Sequence, residues 1–328
     1  MKSKIAVTGA SGHLGNVVCR LLIQQGYEVK AMYHKDSRSL EGLNLTRIQG
    51  DVMNQDDLSK LITGCEVVIN CAAIISIRGD KDGSVFKTNT EGPRNVIEVS
   101  KRSGIKKVIH ISSVHAVEET PTNVPYSENR PYKTQSAEAY DFSKATGEQI
   151  MLQQAGATFE VVVLRPSSVV GPFDFKPSEM GKALLDFYNE KIPALPEGGY
   201  NFVDVRDVAN SIIESITSGR NGEIYLLSGS YYSLKNLSLL VKKITKKKVP
   251  QIVIPYKILR FALPLISIYS KLTGAAPVFT LAALDALRNG HPNMDHSKAS
   301  KELGHNCRSM EQTLTDFYKW QHDQKIIA

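Results

Sequence analysis

Tyr140 and Lys144 stand four residues apart in a stretch that reads as helix, so both project from one face. A phenol with an ordinary pKa of about 10 is a poor acid at neutral pH. A neighbouring ammonium favours the phenolate, lowers that pKa and makes the proton easier to hand to a substrate oxygen. Spacing alone does not single out this pair, because Tyr231 and Lys235 repeat it. Position decides: Tyr140 begins the helix after the apolar strand Val108 to Ser112, and that strand runs into Ser112-Ser113. Hydroxyls at a sheet edge suit a carbonyl oxygen.

A second feature must lie across from these groups. Ile5 to Gly15, IAVTGASGHLG, reads as a short strand, a turn with Gly9, Gly12 and Gly15, and the start of a helix. Glycine allows the tight bend and a close backbone approach, and open amides at a helix N-terminus face negative charge, so the turn is built to hold a diphosphate. Leu14, Val17, Val18, Leu21 and Leu22 form one apolar face of that helix, and Gly26 stops it. Asp51, after the strand ending in Gly50, is placed to accept an adenine amine, though a turn or cap explains it equally. The strand Val67 to Ala73 ends in Cys71, Ala72 and Ala73, small enough to leave room for a cofactor.

The elements that position these residues alternate. Strands are expected near Glu28 to Tyr33, Arg47 to Gly50, Val67 to Ala72, Val108 to Ser112 and Val161 to Arg165, with helices over Phe86 to Arg102, kinked by Pro93, and Ser136 to Gln154. Such alternation implies a parallel sheet covered by helices. Beyond Pro166 the rhythm breaks at a run of Pro and Gly that begins a second lobe, with a helix at Ser178 to Phe187. Strand Asn201 to Asp204 and helix Arg206 to Ser218 are expected to return to the first sheet. Strand Glu223 to Leu227 and helices around Ser233 to Thr245, Lys257 to Thr273, Thr280 to Asn289 and Met310 to Gln324 complete the chain.

The 328 residues, 42% hydrophobic and 22% charged, are ordinary for a globular protein. Net charge is +7, but the basic residues are scattered apart from Lys242 to Lys248, which reads as a solvated helix end and not a nucleic-acid site. Cys19, Cys65, Cys71 and Cys307 lack metal-type spacing, so buried thiols in a reducing compartment and no metal are expected. The first strand starts within a few residues of Met1, leaving no room for a signal peptide, and Phe261 to Tyr269, broken by Pro264, is too short to span a bilayer. A cytoplasmic location without membrane contact is the expectation.

Taken together, the chain resembles the extended short-chain dehydrogenase/reductase family. The matching residues are Thr8 to Gly15, Asp51-Val52, Ala72-Ala73, Asn89, Ser112-Ser113, Tyr140 to Lys144, Arg165-Pro166 with Gly171-Pro172, Phe202 to Ala209, Asp295 to Ala299 and Leu303-Gly304. Within the family it looks most like the dihydroflavonol 4-reductase and 3-beta-hydroxysteroid dehydrogenase branch. The resemblance implies an α/β fold: a Rossmann-type doubly wound parallel sheet, residues 1–165 plus about 200–222, with a smaller C-terminal substrate-binding lobe, about 166–199 and 223–328. It implies that Ser113 orients the substrate oxygen, Tyr140 transfers its proton, Lys144 holds the nicotinamide ribose, and Asn89 supports the site. Pro93 stands where the family often has threonine. Cofactor contacts would come from Gly9, Ser11, Gly12, His13, Leu14, Gly15, Asp51, Val52, Cys71, Ala72, Ala73, Lys144, Pro166 and Ser168.

After the second strand, Tyr33 to Arg38 offers His34, Lys35 and Arg38 against the single acid Asp36. Cations there favour the 2′-phosphate of NADP(H), while Asp36 leaves NAD(H) open. The leading expectation is an NADPH-dependent reductase of a small aldehyde or ketone. The alternative is a sugar-nucleotide epimerase or dehydratase with retained NAD, its diphosphate met by Arg220, Arg260 and Arg288; a non-catalytic NAD(P)-sensing protein is a third reading. Ser76, His115, Phe173 and Met180 are expected substrate liners, His115 by shape or hydrogen bonding. By analogy the chain forms a homodimer through the helices carrying Asn89 and Tyr140.

Overall fold

The computed structural model describes residues 3–76, 79–273 and 281–327. The chain opens with strand β1 (Lys4–Thr8), helix α1 (His13–Gln24), β2 (Glu28–Tyr33), β3 (Thr46–Gln49), α2 (Gln55–Ile62) and β4 (Val67–Asn70). It continues through α3 (Ser84–Arg102), β5 (Lys107–Ile111), α4 (Ala139–Leu152), β6 (Glu160–Pro166), β7 (Ser168–Val170) and α5 (Glu179–Tyr188). Then come β8 (Leu195–Pro196), β9 (Gly199–Asp204), α6 (Val205–Ser218), β10 (Ile224–Leu227), β11 (Ser230–Ser233), α7 (Leu234–Thr245) and β12 (Val253–Ile254). Four helices close the chain: α8 (Tyr256–Thr273), α9 (Leu281–Arg288), α10 (Ser297–Leu303) and α11 (Met310–Asp323). Thr280, where one helix was expected to begin, lies outside the described residues.

Seven parallel strands make the main sheet in the order β10-β6-β5-β4-β1-β2-β3. The Val and Ile runs of β4, β5 and β6 are buried on both faces, as strands covered by helices must be. One face packs on α1 and α6 through Val17, Leu22, Val208 and Ile212; the other packs on α2 and α3 through Leu58, Leu61 and Val96. Strand order reverses at β1 and β4, which opens a crevice at their carboxyl ends.

Two strands lie elsewhere than expected. The Asn201 to Asp204 segment does not return to the first sheet: β9 is the centre of a three-stranded sheet, β11-β9-β7, antiparallel to β11 with Ser230 opposite Phe202. Conversely β10, expected in the second lobe, is the edge strand of the main sheet, pairing Ile224 with Val163 and burying Tyr225, Leu226 and Leu227. Only α6 returns, because its Val208 and Ile212 fit the α1 face while Phe202 joins Leu237, Phe317 and Val170 in the smaller core. Helix α3 contains Pro93 and runs on through it to Arg102. Among the described residues no helix is long and apolar enough to cross a membrane.

Candidate active site

The glycine turn closes the crevice from β1. Gly9 has φ +61°, and a Cβ there would lie 2.7 Å from the Ala72 amide nitrogen, so only glycine lets the turn rest on the end of β4. A Cβ on Gly15 would lie 2.3 Å from the Gly9 carbonyl, so α1 can start this close to the turn only with glycine. No side chain caps Gly12 and no acid occupies the first turn of α1, which leaves its leading amides to an anion. Below the turn, Thr8 Oγ1 donates to Asn70 Oδ1 at 2.6 Å, and Asn70 Nδ2 stands 3.1 Å from His110 Nδ1. Burial, with the Lys144 charge, holds His110 well below its ordinary pKa, so this strut is neutral.

The reactive groups meet at the carboxyl end of β5. Ser113 follows the strand, and its hydroxyl accepts the His115 amide at 3.1 Å and sits near enough to the Tyr140 phenol to favour its ionised form. Burial pushes Tyr140 up to about 12, the Ser113 hydroxyl pulls the other way, and the Asp141 carboxylate adds to the rise. The expected depression by Lys144 is therefore absent. The reason is geometric: Lys144 Nζ donates to the Ile111 carbonyl at 2.8 Å, under the strand. Burial lowers Lys144 to about 8, with Glu148 and Cys71 pulling the other way.

Asn89 does not reach the reacting groups. Its Oδ1 accepts the Ile74 amide at 2.8 Å, and its Nδ2 donates to the Ile74 carbonyl and to Ser143 Oγ, each at 2.9 Å. Ser143 Oγ donates in turn to the Tyr140 carbonyl at 2.6 Å. Asn89 thus positions the first turn of α4 and the segment after β4. Pro93 contributes by lacking the N–H that would reach the Asn89 carbonyl; Gly147 packs there, with no room for a Cβ.

The other expected contacts divide. Asp51 Oδ1 accepts the Met53 amide at 2.9 Å, its other oxygen lies 3.6 Å from His34 Nε2, and Val52 backs the turn against Gly92. Cys71, Ala72 and Ala73 line the end of β4, and Thr8 accepts the Ala72 amide at 3.3 Å. His13 Nε2 lies 3.0 Å from the Pro172 carbonyl, which ties the glycine turn to the loop after β7, and the Ser11 carbonyl accepts from Ser39. Lys35 is exposed. Arg38 makes a forked pair with Asp36, its Nη2 2.7 Å from Oδ2, and that guanidinium holds the exposed Asp36 carboxyl near 2. Pro166 is buried beside Leu227, and Ser168 opens β7.

Of the substrate liners, His115 stands at the site: its ring lies 5.8 Å from that of Tyr140 and its Nδ1 is 3.2 Å from Asp141. Ser76 Oγ donates to the Gly79 carbonyl at the same edge. Phe173, at φ +68°, instead packs on Arg20 and Trp320, and Met180 joins the smaller core. The arginines considered for a sugar-nucleotide diphosphate are engaged too: Arg220 with Glu302, and Arg260 and Arg288 with Tyr256.

Sequence reading missed three features. Lys176, in the loop after β7, acts electrostatically on Asp36 beside the expected ribose site. Ile74 and Ile75 are exposed apolar residues just past the small end of β4, a signal visible in the run Ala72 to Ile75. Glu148, one turn beyond Lys144, pairs with Arg165 Nη2 at 2.5 Å and accepts from the Tyr132 hydroxyl at 2.8 Å.

These residues fit a dinucleotide: Gly9 and Gly15 let the turn close against β4, and the uncapped, acid-free start of α1 leaves amides for a diphosphate. The Ser112 and Ser167 hydroxyls, at the ends of neighbouring strands, are buried without a partner among the described residues. Fold and site together define an NAD(P)-dependent oxidoreductase of the Rossmann type. The chain belongs to the NAD dependent epimerase/dehydratase family, which matches residues 5–228, and to its extended short-chain dehydrogenase/reductase branch. It is 30% identical to a putative dihydroflavonol 4-reductase of Synechocystis sp. over 325 residues, 96% of this chain and 93% of that one. It is 27% identical to sterol demethylase protein B of Methylococcus capsulatus, again over 325 residues, covering 98% and 99%. The crystal structure of gox2253 superposes over the whole of both chains with a TM-score of 0.86 at 28% identity.

Proposed function

We propose that the protein reduces the carbonyl of a small apolar aldehyde or ketone with NADPH. The observation that carries this reading is the Ser113–Tyr140 hydroxyl pair at the crevice edge, with Lys144 buried one turn behind Tyr140. The dinucleotide, when bound, supplies the hydride. Ser113 holds the substrate oxygen, and Tyr140 donates the proton that turns the developing alkoxide into an alcohol. Lys144 holds the nicotinamide ribose. The glycine turn and the first amides of α1 take the diphosphate. Ile74, pinned by Asn89, and its neighbour Ile75 give the mouth an apolar wall, which favours an apolar substrate.

His34, Lys35 and Lys176 support the preference for NADPH, Arg38 less so because Asp36 holds it. Titration of the purified chain should show tighter binding of NADPH than of NADH; the reverse order defeats the preference. Tyr140→Phe should abolish NADPH consumption on added carbonyls while leaving nucleotide binding nearly unchanged, and full turnover in that variant defeats the reaction. One equivalent of NAD retained through purification would replace reduction with epimerisation. Light scattering tests the homodimer proposed through α3 and α4.

A further inference from the structure

Three side chains that the active site does not use converge beside the carboxyl end of β10. His296 stands just ahead of α10, and His305 and Cys307 just behind it, and their ligand atoms all lie within 4.8 Å of one another. Cys307 Sγ is 3.4 Å from His305 Nε2 and 4.0 Å from His296 Nε2. The other nitrogen of each ring is held: His296 Nδ1 lies 2.8 Å from the Ser228 hydroxyl, and His305 Nδ1 2.8 Å from the Ser211 hydroxyl. Both Nε2 atoms therefore face the sulfur, from rings 82° apart. The Ser228 carbonyl completes the cluster, 2.9 Å from His305 Nε2 and 3.0 Å from Cys307 Sγ.

We propose that His296, His305 and Cys307 bind a divalent cation of the zinc class, with the Ser228 carbonyl or a water in the fourth position. One thiolate with two imidazoles is a donor set that zinc accepts in tetrahedral geometry. The serine hydroxyls do what outer partners of ligating histidines do: they fix ring orientation and tautomer and leave Nε2 for the metal. Bonds of about 2.0–2.3 Å to the ion place ligand atoms roughly 3.3–3.8 Å apart. The two sulfur contacts already fall near that range, and the two imidazole nitrogens, within 4.8 Å of each other, must close by up to about 1.5 Å. His296 and Cys307 are partly exposed and each borders a surface crevice, so the ion has a route in and the rings have room to move.

On binding, the thiol proton leaves Cys307 as the sulfur–metal bond forms, and the remaining proton of His305 sits on Nδ1 toward Ser211. The ion would join both ends of α10 to β10 and α6. Cysteine spacing alone does not reveal this site, which takes one cysteine and two histidines from either side of a helix.

The test is titration of the purified full-length chain with Co2+, read by thiolate-to-cobalt charge-transfer absorption. One equivalent should bind per chain and be displaced by Zn2+. Cys307→Ser should abolish the band, His296→Ala should weaken binding on the order of tenfold or more, and Cys65→Ser should change nothing. Zn2+ should raise the melting temperature of the wild type and not of Cys307→Ser. If Cys307→Ser does not fold, His296→Ala, at a partly exposed position, carries the test. Absence of the band, its persistence in Cys307→Ser, or unaltered affinity in His296→Ala would overturn the proposal and leave a hydrogen-bonded clasp.

Discussion

Lys144 and Glu148 lie one turn apart on α4, both buried and both ionisable, yet the fold treats them oppositely. Lys144 donates to one main-chain carbonyl and burial pulls it down to about 8. Glu148 accepts from Arg165 Nε and Nη2 and from the Tyr132 hydroxyl, while Arg165 also donates to the Glu128 carbonyl at 2.8 Å. A buried charge with a full set of partners clamps elements together, here α4 to β6. A buried charge with few partners keeps capacity for a ligand, and its displaced pKa marks it as a working group.

Removing one member of each set should break the molecule in different ways. Glu148→Gln leaves the Arg165 guanidinium buried without its counter-charge, and the expected loss is about 3–5 kcal/mol of stability. Denaturant melts would show it, and a midpoint close to wild type would mean that Glu148 is no clamp. Lys144→Met takes away a charge that burial disfavours, so stability should hold or rise slightly. Turnover should fall about a hundredfold or more, some 3 kcal/mol of barrier. If Lys144→Met unfolds the chain while Glu148→Gln merely slows it, the contrast is inverted and α4 has been misread.

Local spacing made the working half of this contrast legible. Tyr140 and Lys144 are related by one helical turn, Gly9, Gly12 and Gly15 by one strand-turn-helix unit, and such relations survive whatever surrounds them. The clamp was not legible, because Glu148 and Arg165 are 17 residues apart on different elements and only packing turns them toward each other. Strands β9 and β10 show a similar limit. Both read as short apolar runs, and nothing local says which sheet takes Phe202 and which takes Tyr225. Phe173 and Met180 are expected at the substrate as residues of the second lobe, whereas Phe173, with a left-handed backbone, packs its ring on Arg20 and Met180 joins the smaller core. The pKa of Tyr140 shows that even a correct pair does not fix electrostatics, since the direction of Lys144 Nζ is set by the Ile111 carbonyl of β5.

His115 and Asp141 give the smallest effect and the sharpest test of where partnering ends, because they flank Tyr140 at the boundary of buried and exposed. Burial works against a charge on His115, but the Asp141 carboxylate, with Glu119, outweighs it and raises the imidazole pKa; Lys133 opposes them weakly. A base with a raised pKa in the folded state contributes stability fully below its unfolded value of about 6.5 and loses it as pH rises through the folded value. Asp141→Asn should therefore destabilise the chain most near pH 5.5, where the carboxylate of the wild type is still ionised, and hardly at all near pH 8.5. The His115 side chain is 39% exposed, so solvent screening holds the difference to about half a kcal/mol. Paired urea melts at the two pH values measure it, and an NMR titration of the His115 ring should show its pKa falling in the variant. A destabilisation of equal size at both pH values would mean that Asp141 acts through the Tyr140 end of α4 and not through the imidazole charge.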